Sequence, residues 1–187
     1  GATSVTAAME FLKIEDVAPL ILAYAPKQLL RRLDGLNPQG ELTGIQVSMV
    51  TDAPRVITLD LKAQVLDASV SSRGHLPGVS GLSGALAMTL DNGRLELDSK
   101  TVSIAIPGMF AEPLAISAAG TVDWVRYGTG WWFDTNEISF RHDAFEGTAS
   151  GTLHWPFQNR LPIVDMSLRM ARAELGRLSE YLPVGLI

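Results

Sequence analysis

Hydrophobic and polar residues alternate along most of the chain between Glu41 and Met170. The most regular run places Ile57, Leu59, Leu61, Ala63 and Val65 against Thr58, Asp60, Lys62 and Gln64. A period of two is typical of strands with one apolar face and one polar face. The pattern therefore predicts β-structure through this region, with one side of each strand shielded from water.

The segment from Leu76 to Leu97 predicts a hairpin. Asp91-Asn92-Gly93 interrupts the alternation and is expected to form the turn, because Asn and Gly tolerate positive φ. Short turns also separate the later apolar runs. Since parallel pairing needs long crossovers, these turns predict an antiparallel meander.

Helices are expected only at the two ends of the chain. The 187 residues are predicted to form a single segment: a strand at 1–14, helices at 15–36, an antiparallel β-meander at 41–170 and a short helix at 173–182. Asp16 is expected to cap the first helix. At Val65-Leu66 the alternation shifts phase, so that Leu66, Ala68 and Val70 are expected to continue the apolar face beyond a bulge that bends the sheet. The fold class is therefore mainly β, a curved antiparallel sheet forming an open groove.

Composition excludes several kinds of function. The net charge is −5 and none of the predicted strands carries a cluster of Lys and Arg, which argues against binding nucleic acid. Cysteine is absent, so disulfides and thiolate chemistry are excluded. No stretch reaches the roughly 18 apolar residues of a membrane helix.

Few residues are suited to catalysis. The three histidines, His75, His142 and His154, have no spacing that brings two of them to one metal ion. Gly81 to Ala85 lacks the strand-to-helix context of a nucleophile elbow. The carboxylates Asp123, Asp134, Asp143 and Glu146 could pair across strands as acid and base, although their alternation with apolar neighbours favours positions facing solvent. The sequence predicts no enzyme, no catalytic residue, no metal and no cofactor.

Adjacent tryptophans raise a separate possibility. Trp131 and Trp132 must point to opposite faces if they lie in one strand. One indole then lies outside the main apolar layer. It either covers a sheet edge or contacts lipid, a membrane interface or a protein partner.

Several short motifs resemble a known family. They are Asn37-Pro38-Gln39-Gly40-Glu41-Leu42, the run from Leu76 to Gly84, Glu112-Pro113-Leu114 followed by Gly120-Thr121-Val122-Asp123-Trp124, and Tyr181-Leu182-Pro183. Their order resembles the AsmA-like superfamily, specifically the YhdP-type envelope proteins of Gram-negative bacteria, over most of the chain.

The resemblance implies a bridge-like lipid carrier with an inner-membrane anchor and a long periplasmic β-groove. This chain would be an internal periplasmic fragment of a membrane-anchored parent, with phospholipid acyl chains as its partner and no catalytic residues. The expected groove lining, taken from the apolar positions of the strands, is Ile45, Val47, Met49, Ile57, Leu59, Leu61, Leu82, Leu86, Met88, Leu95, Leu97, Ile116, Val122 and Trp124. Two alternatives stay open: the N-terminal helices fill the groove as an ordinary core, or the chain is an envelope scaffold or protein-interaction domain without bound lipid.

Overall fold

The structure, a computed structural model, describes residues 2–17, 37–52, 55–72, 77–107, 112–157 and 161–174. These residues form one open antiparallel sheet in which every strand pairs with its sequence neighbours, in the order β1 to β9. The predicted fold class is thereby confirmed. The strands are β1 (Thr3–Lys13), β2 (Gln39–Asp52), β3 (Arg55–Val70), β4 (Gly78–Thr89), β5 (Asn92–Ala105), β6 (Leu114–Tyr127), β7 (Gly130–Arg141), β8 (Phe145–Pro156) and β9 (Ile163–Ala173).

The strand registers keep the apolar positions on one side of the sheet. One row of directly paired residues crosses all nine strands, and we call it the central row. It consists of Ala7, Val47, Leu61, Met88, Gly93, Trp124, Phe133, Leu153 and Val164. We call the side that carries this row the apolar face and the opposite side the polar face.

A bulge in β3 changes which residues of this strand lie on the apolar face. Asp67 has a φ of 49°, and the pairing of β3 with β4 shifts between Val65 and Ala68 at this point. The predicted bulge is therefore present, one residue later than expected. Leu66 pairs with Glu41 and is 41% exposed, so its expected place on the apolar face is wrong. The apolar face continues instead at Ala68 and Val70, which pair with Leu82 and Val79.

The hairpin of β4 and β5 is present, but its turn differs from the prediction. The strands end at Thr89 and restart at Asn92, so the turn consists of Leu90 and Asp91. The Thr89 hydroxyl accepts hydrogen bonds from the backbone N–H groups of Asp91 and Asn92, at 3.3 and 3.2 Å. Neither Asn92 nor Gly93 has a positive φ. Both belong to β5, and Gly93 lies in the central row.

The predicted helices fall mostly outside the described residues. Residues 14–17 are helical, so the first helix begins before Asp16, which lies in its first turn and not at its N-cap. A carboxylate in the first turn still interacts favourably with the helix dipole. Residues 18–36 and 175–187, which include the rest of the predicted N-terminal helices and most of the predicted C-terminal helix, lie outside the described part. The start predicted for the C-terminal helix is wrong, because Ala173 belongs to β9 and Glu174 is not helical. Within that part, no helix has the length and hydropathy needed to cross a membrane.

The best-packed part of the sheet lies on the apolar face between β4 and β7. Leu97, Val102 and Ala118 are less than 9% exposed and form its centre. The half-buried side chains packed around them are Val79, Leu82, Leu95, Ile104, Ile116 and Ile138. Curvature of the sheet towards the apolar face would bring the side chains of that face together and separate those of the polar face.

Candidate functional site

The apolar face is the candidate site, because it brings the predicted lining residues together. Strand register or alternation along the strand places all of them on this face: Ile45, Val47, Met49, Ile57, Leu59, Leu61, Leu82, Leu86, Met88, Leu95, Leu97, Ile116, Val122 and Trp124. Away from bulges and strand ends, no charged residue of the described strands joins them. The regular part of the face therefore offers no charged anchor.

Trp124 gives the central row its largest side chain. Its indole lies over Gly93 on the neighbouring strand, where any Cβ would collide with the ring. On the other side the Phe133 ring is tilted against the indole, with the ring centroids 6.4 Å apart. The glycine thus leaves room for a broad aromatic surface in the middle of the sheet.

The exposure of the apolar face varies across the sheet. Ile45 is only 1% exposed and Leu97 8%. On the outer strands the same face is open: Met9 of β1 is 43% exposed and Met166 of β9 is 62% exposed. Apolar surface therefore extends from one edge of the sheet to the other without a polar rim.

The sequence predictions missed the part of this face contributed by β7 to β9. Phe133, Leu153 and Val164 complete the central row. Beyond them, β9 adds Met166, Leu168 and Met170, which pair with residues of the same face on β8. The alternation of Val164, Met166, Leu168 and Met170 was a sufficient signal for including them.

Among the described residues, the polar face carries most of the ion pairs. The exception is the pair of Arg126 and Asp91 at 2.9 Å, at the end of β6, where Arg126 lies opposite Trp131. Arg94 Nε donates to the Asp123 carboxylate at 2.6 Å, and the two residues pair directly across β5 and β6. This hydrogen bond, together with the charge of Asp123, raises the pKa of the Arg94 guanidinium. Arg141 and Glu146 form a similar cross-strand pair at 3.2 Å. Charge is thus concentrated on the side opposite the candidate site.

The two adjacent tryptophans point to opposite faces, as predicted. Trp131 pairs with Trp155 on the apolar face. Trp132 is 42% exposed on the polar face, where its indole stacks on the His154 ring with the centroids 4.1 Å apart. The indole outside the main apolar layer is therefore that of Trp132.

The residues considered for catalysis do not converge. His142 Nδ1 accepts a hydrogen bond from the Ala144 N–H at 3.1 Å, an interaction within its own turn. His154 contacts Trp132, and Glu146 is paired with Arg141. Within the described residues, no group of three or more His, Cys, Asp or Glu could hold a metal ion. His75 lies outside them.

Comparison with known proteins identifies a family. A family model described as YhdP protein matches residues 2–187. This match includes every strand of the sheet and the whole apolar face. A search of curated proteins and a search of solved structures each found no significant match.

Proposed function

The chain belongs to the YhdP family, and on that premise we propose that its apolar face binds the acyl chains of phospholipids. The segment would form part of a bridge that moves lipids through the periplasm between the inner and outer membranes. Family membership supports the coarser part of this proposal, an envelope protein connected with lipid transport. We assign no catalytic step to the chain.

The observation that carries the proposal is the central row. Nine neighbouring strands each contribute one uncharged residue to it, and the row is open at both edges of the sheet. With strands about 4.8 Å apart, it extends across about 38 Å. An acyl chain spans half of a hydrocarbon core that is about 30 Å thick, so the row is longer than one chain.

The chemistry of the row suits a lipid that moves. Each methylene removed from water contributes about 0.8 kcal/mol, whichever apolar side chain it contacts. Because the regular part of the face holds no charged group, a chain displaced along the row exchanges one apolar contact for another. Binding then has little dependence on position, as transport requires.

Crosslinking from two adjacent positions of β4 tests the proposal. Met88 lies on the apolar face, whereas Ala87 pairs with Arg94 on the polar face. A photoreactive amino acid at position 88 is expected to crosslink phospholipid in cells, and the same amino acid at position 87 is not. Native mass spectrometry of the purified chain should show the bound phospholipid directly.

Equal crosslinking at both positions, or none at position 88, would contradict the proposal. In that case the alternative gains support: an envelope scaffold or protein-interaction domain that binds no lipid.

A further inference from the structure

The polar face carries an exposed row of apolar and aromatic side chains on β6 to β9, separate from the lipid-binding face proposed above. Val125, Trp132, His154 and Ile163 pair in sequence across β6 to β9 and form one row. Val125 is 45% exposed, Trp132 42% and Ile163 65%. Tyr127, two residues beyond Val125 on the same side of β6, is 75% exposed. We call these five residues the aromatic patch.

Trp132 stacks on His154 in the middle of the patch. Its indole lies nearly parallel to the His154 ring, with an interplanar angle of 10°. His154 Nε2 is itself buried and has no hydrogen-bond partner among the described residues. A preoriented tryptophan loses little conformational freedom on binding, which is why such side chains are frequent in binding hot spots.

The next row of the polar face is acidic. It contains Asp123, Asp134 and Asp165, which lie two residues along the strands from Val125, Trp132 and Ile163. That spacing corresponds to about 7 Å. Asp123 is neutralised by Arg94, but Asp134 and Asp165 are exposed and form no ion pair with another described residue.

The aromatic patch and the carboxylates beside it together indicate the chemistry of a binding partner. Exposed aromatic and aliphatic side chains favour an apolar contact, and two free carboxylates beside them favour a cation. The same carboxylates would be repelled by the anionic headgroups of a bilayer. We propose that the aromatic patch is a docking surface for a basic amphipathic segment of a partner protein, with its apolar side chains on Trp132 and its Lys or Arg residues on Asp134 and Asp165.

Two synthetic peptides test the proposal on the full 187-residue chain. One alternates leucine with lysine, and the other has glutamate in place of each lysine. The lysine peptide is expected to bind and to shift the NMR signal of the Trp132 indole N–H, with the Trp124 signal of the opposite face unchanged. Trp132→Ser should weaken this binding about tenfold or more, the effect of losing a hot-spot tryptophan.

Charge reversal supplies a test that leaves the apolar residues in place. The double substitution of Asp134→Lys and Asp165→Lys should reverse the preference, so that the glutamate peptide binds more tightly than the lysine peptide. Asp98→Lys makes the same kind of change at an exposed position of β5 that pairs with Ala119, away from the patch, and should leave the preference as it was.

Three outcomes would overturn the proposal. The first is equal affinity for the two peptides, or a preference that charge reversal does not change. The second is a Trp132-dependent affinity for vesicles of phosphatidylethanolamine and phosphatidylglycerol that exceeds the affinity for the lysine peptide, which would make the patch a membrane contact. The third is self-association of the chain that Trp132→Ser abolishes, which would make the occupant a second copy.

Discussion

The indole of Trp124 covers the backbone of Gly93, the residue directly opposite it on the neighbouring strand. Met88 lies on the other side of Gly93, so that a side chain at position 93 would have to displace both neighbours. The glycine is therefore required by packing and not by its backbone conformation.

Gly93→Ala should consequently lower the free energy of unfolding by about 1 to 3 kcal/mol, the usual cost of overpacking. In a Trp124→Ala background the collision with the indole is gone and only the contact with the Met88 Cβ remains, so Gly93→Ala should lower the free energy of unfolding less than it does beside Trp124. Denaturant unfolding of the four proteins in this double-mutant cycle measures the difference. Equal effects of Gly93→Ala in both backgrounds would show that the indole does not occupy this space.

Leu59 and Thr58 allow a charge to be placed on either face of β3. Leu59 pairs with Met49 on the apolar face, whereas Thr58 pairs with Val50 and is exposed. If the apolar face is a lipid groove that water can enter, Leu59→Asp should fold with a modest loss of stability and copurify with less phospholipid. Thr58→Asp should affect neither property.

Thermal unfolding and lipid analysis of the two variants separate a groove from a sealed core. A carboxylate buried without a partner costs several kcal/mol, enough to prevent folding of a marginally stable domain. An unfolded Leu59→Asp chain beside a folded Thr58→Asp chain would therefore indicate that the face is covered by other parts of the protein.

The bulge at Asp67 should be sensitive to the shape of its side chain. A φ of 49° is tolerated by Asp and Asn but is strained for β-branched residues. Asp67→Val should lower the free energy of unfolding by about 1 to 2 kcal/mol, and Asp67→Gly should not. Calorimetry of both variants, with Gln64→Val as an exposed control on the same strand, tests this expectation.

The Arg94–Asp123 pair should contribute little to stability. Both side chains are about half exposed, so that water screens their attraction. A double-mutant cycle with Arg94→Ala and Asp123→Ala should give a small coupling energy that decreases as salt is added. A coupling that stays constant in 1 M salt would show that the pair is shielded from solvent.

Local patterns were sufficient to predict the apolar side of the regular parts of β2 to β6. The alternation from Ile57 to Val65 reflects burial on one face, and it holds wherever the strand is regular. The role of Gly93 could not be predicted, because it depends on Trp124 from a strand that follows later in the chain. Asp-Asn-Gly is a strong turn signal, yet packing across the sheet overrode it and moved the turn to Leu90 and Asp91.

The aromatic patch could not be predicted from the sequence, for a related reason. The pair Trp131-Trp132 predicted one indole outside the apolar layer, but Val125, His154 and Ile163 become neighbours of Trp132 only through the register of three strand pairs. Sequence spacing does not determine those registers, because each contains or borders a bulge. The acidic row beside the patch depends on the same registers.

Pairing of each strand with its sequence neighbours has a consequence for how the sheet opens. In the part of the chain that the structure describes, no strand pairing closes the sheet on itself, so stability is built up from one hairpin to the next and disruption at one site need not spread. Amide hydrogen exchange should therefore be fastest at β1 and β9 and slowest around Leu97 and Val102. The outer strands could detach and pair again while the middle of the sheet stays folded.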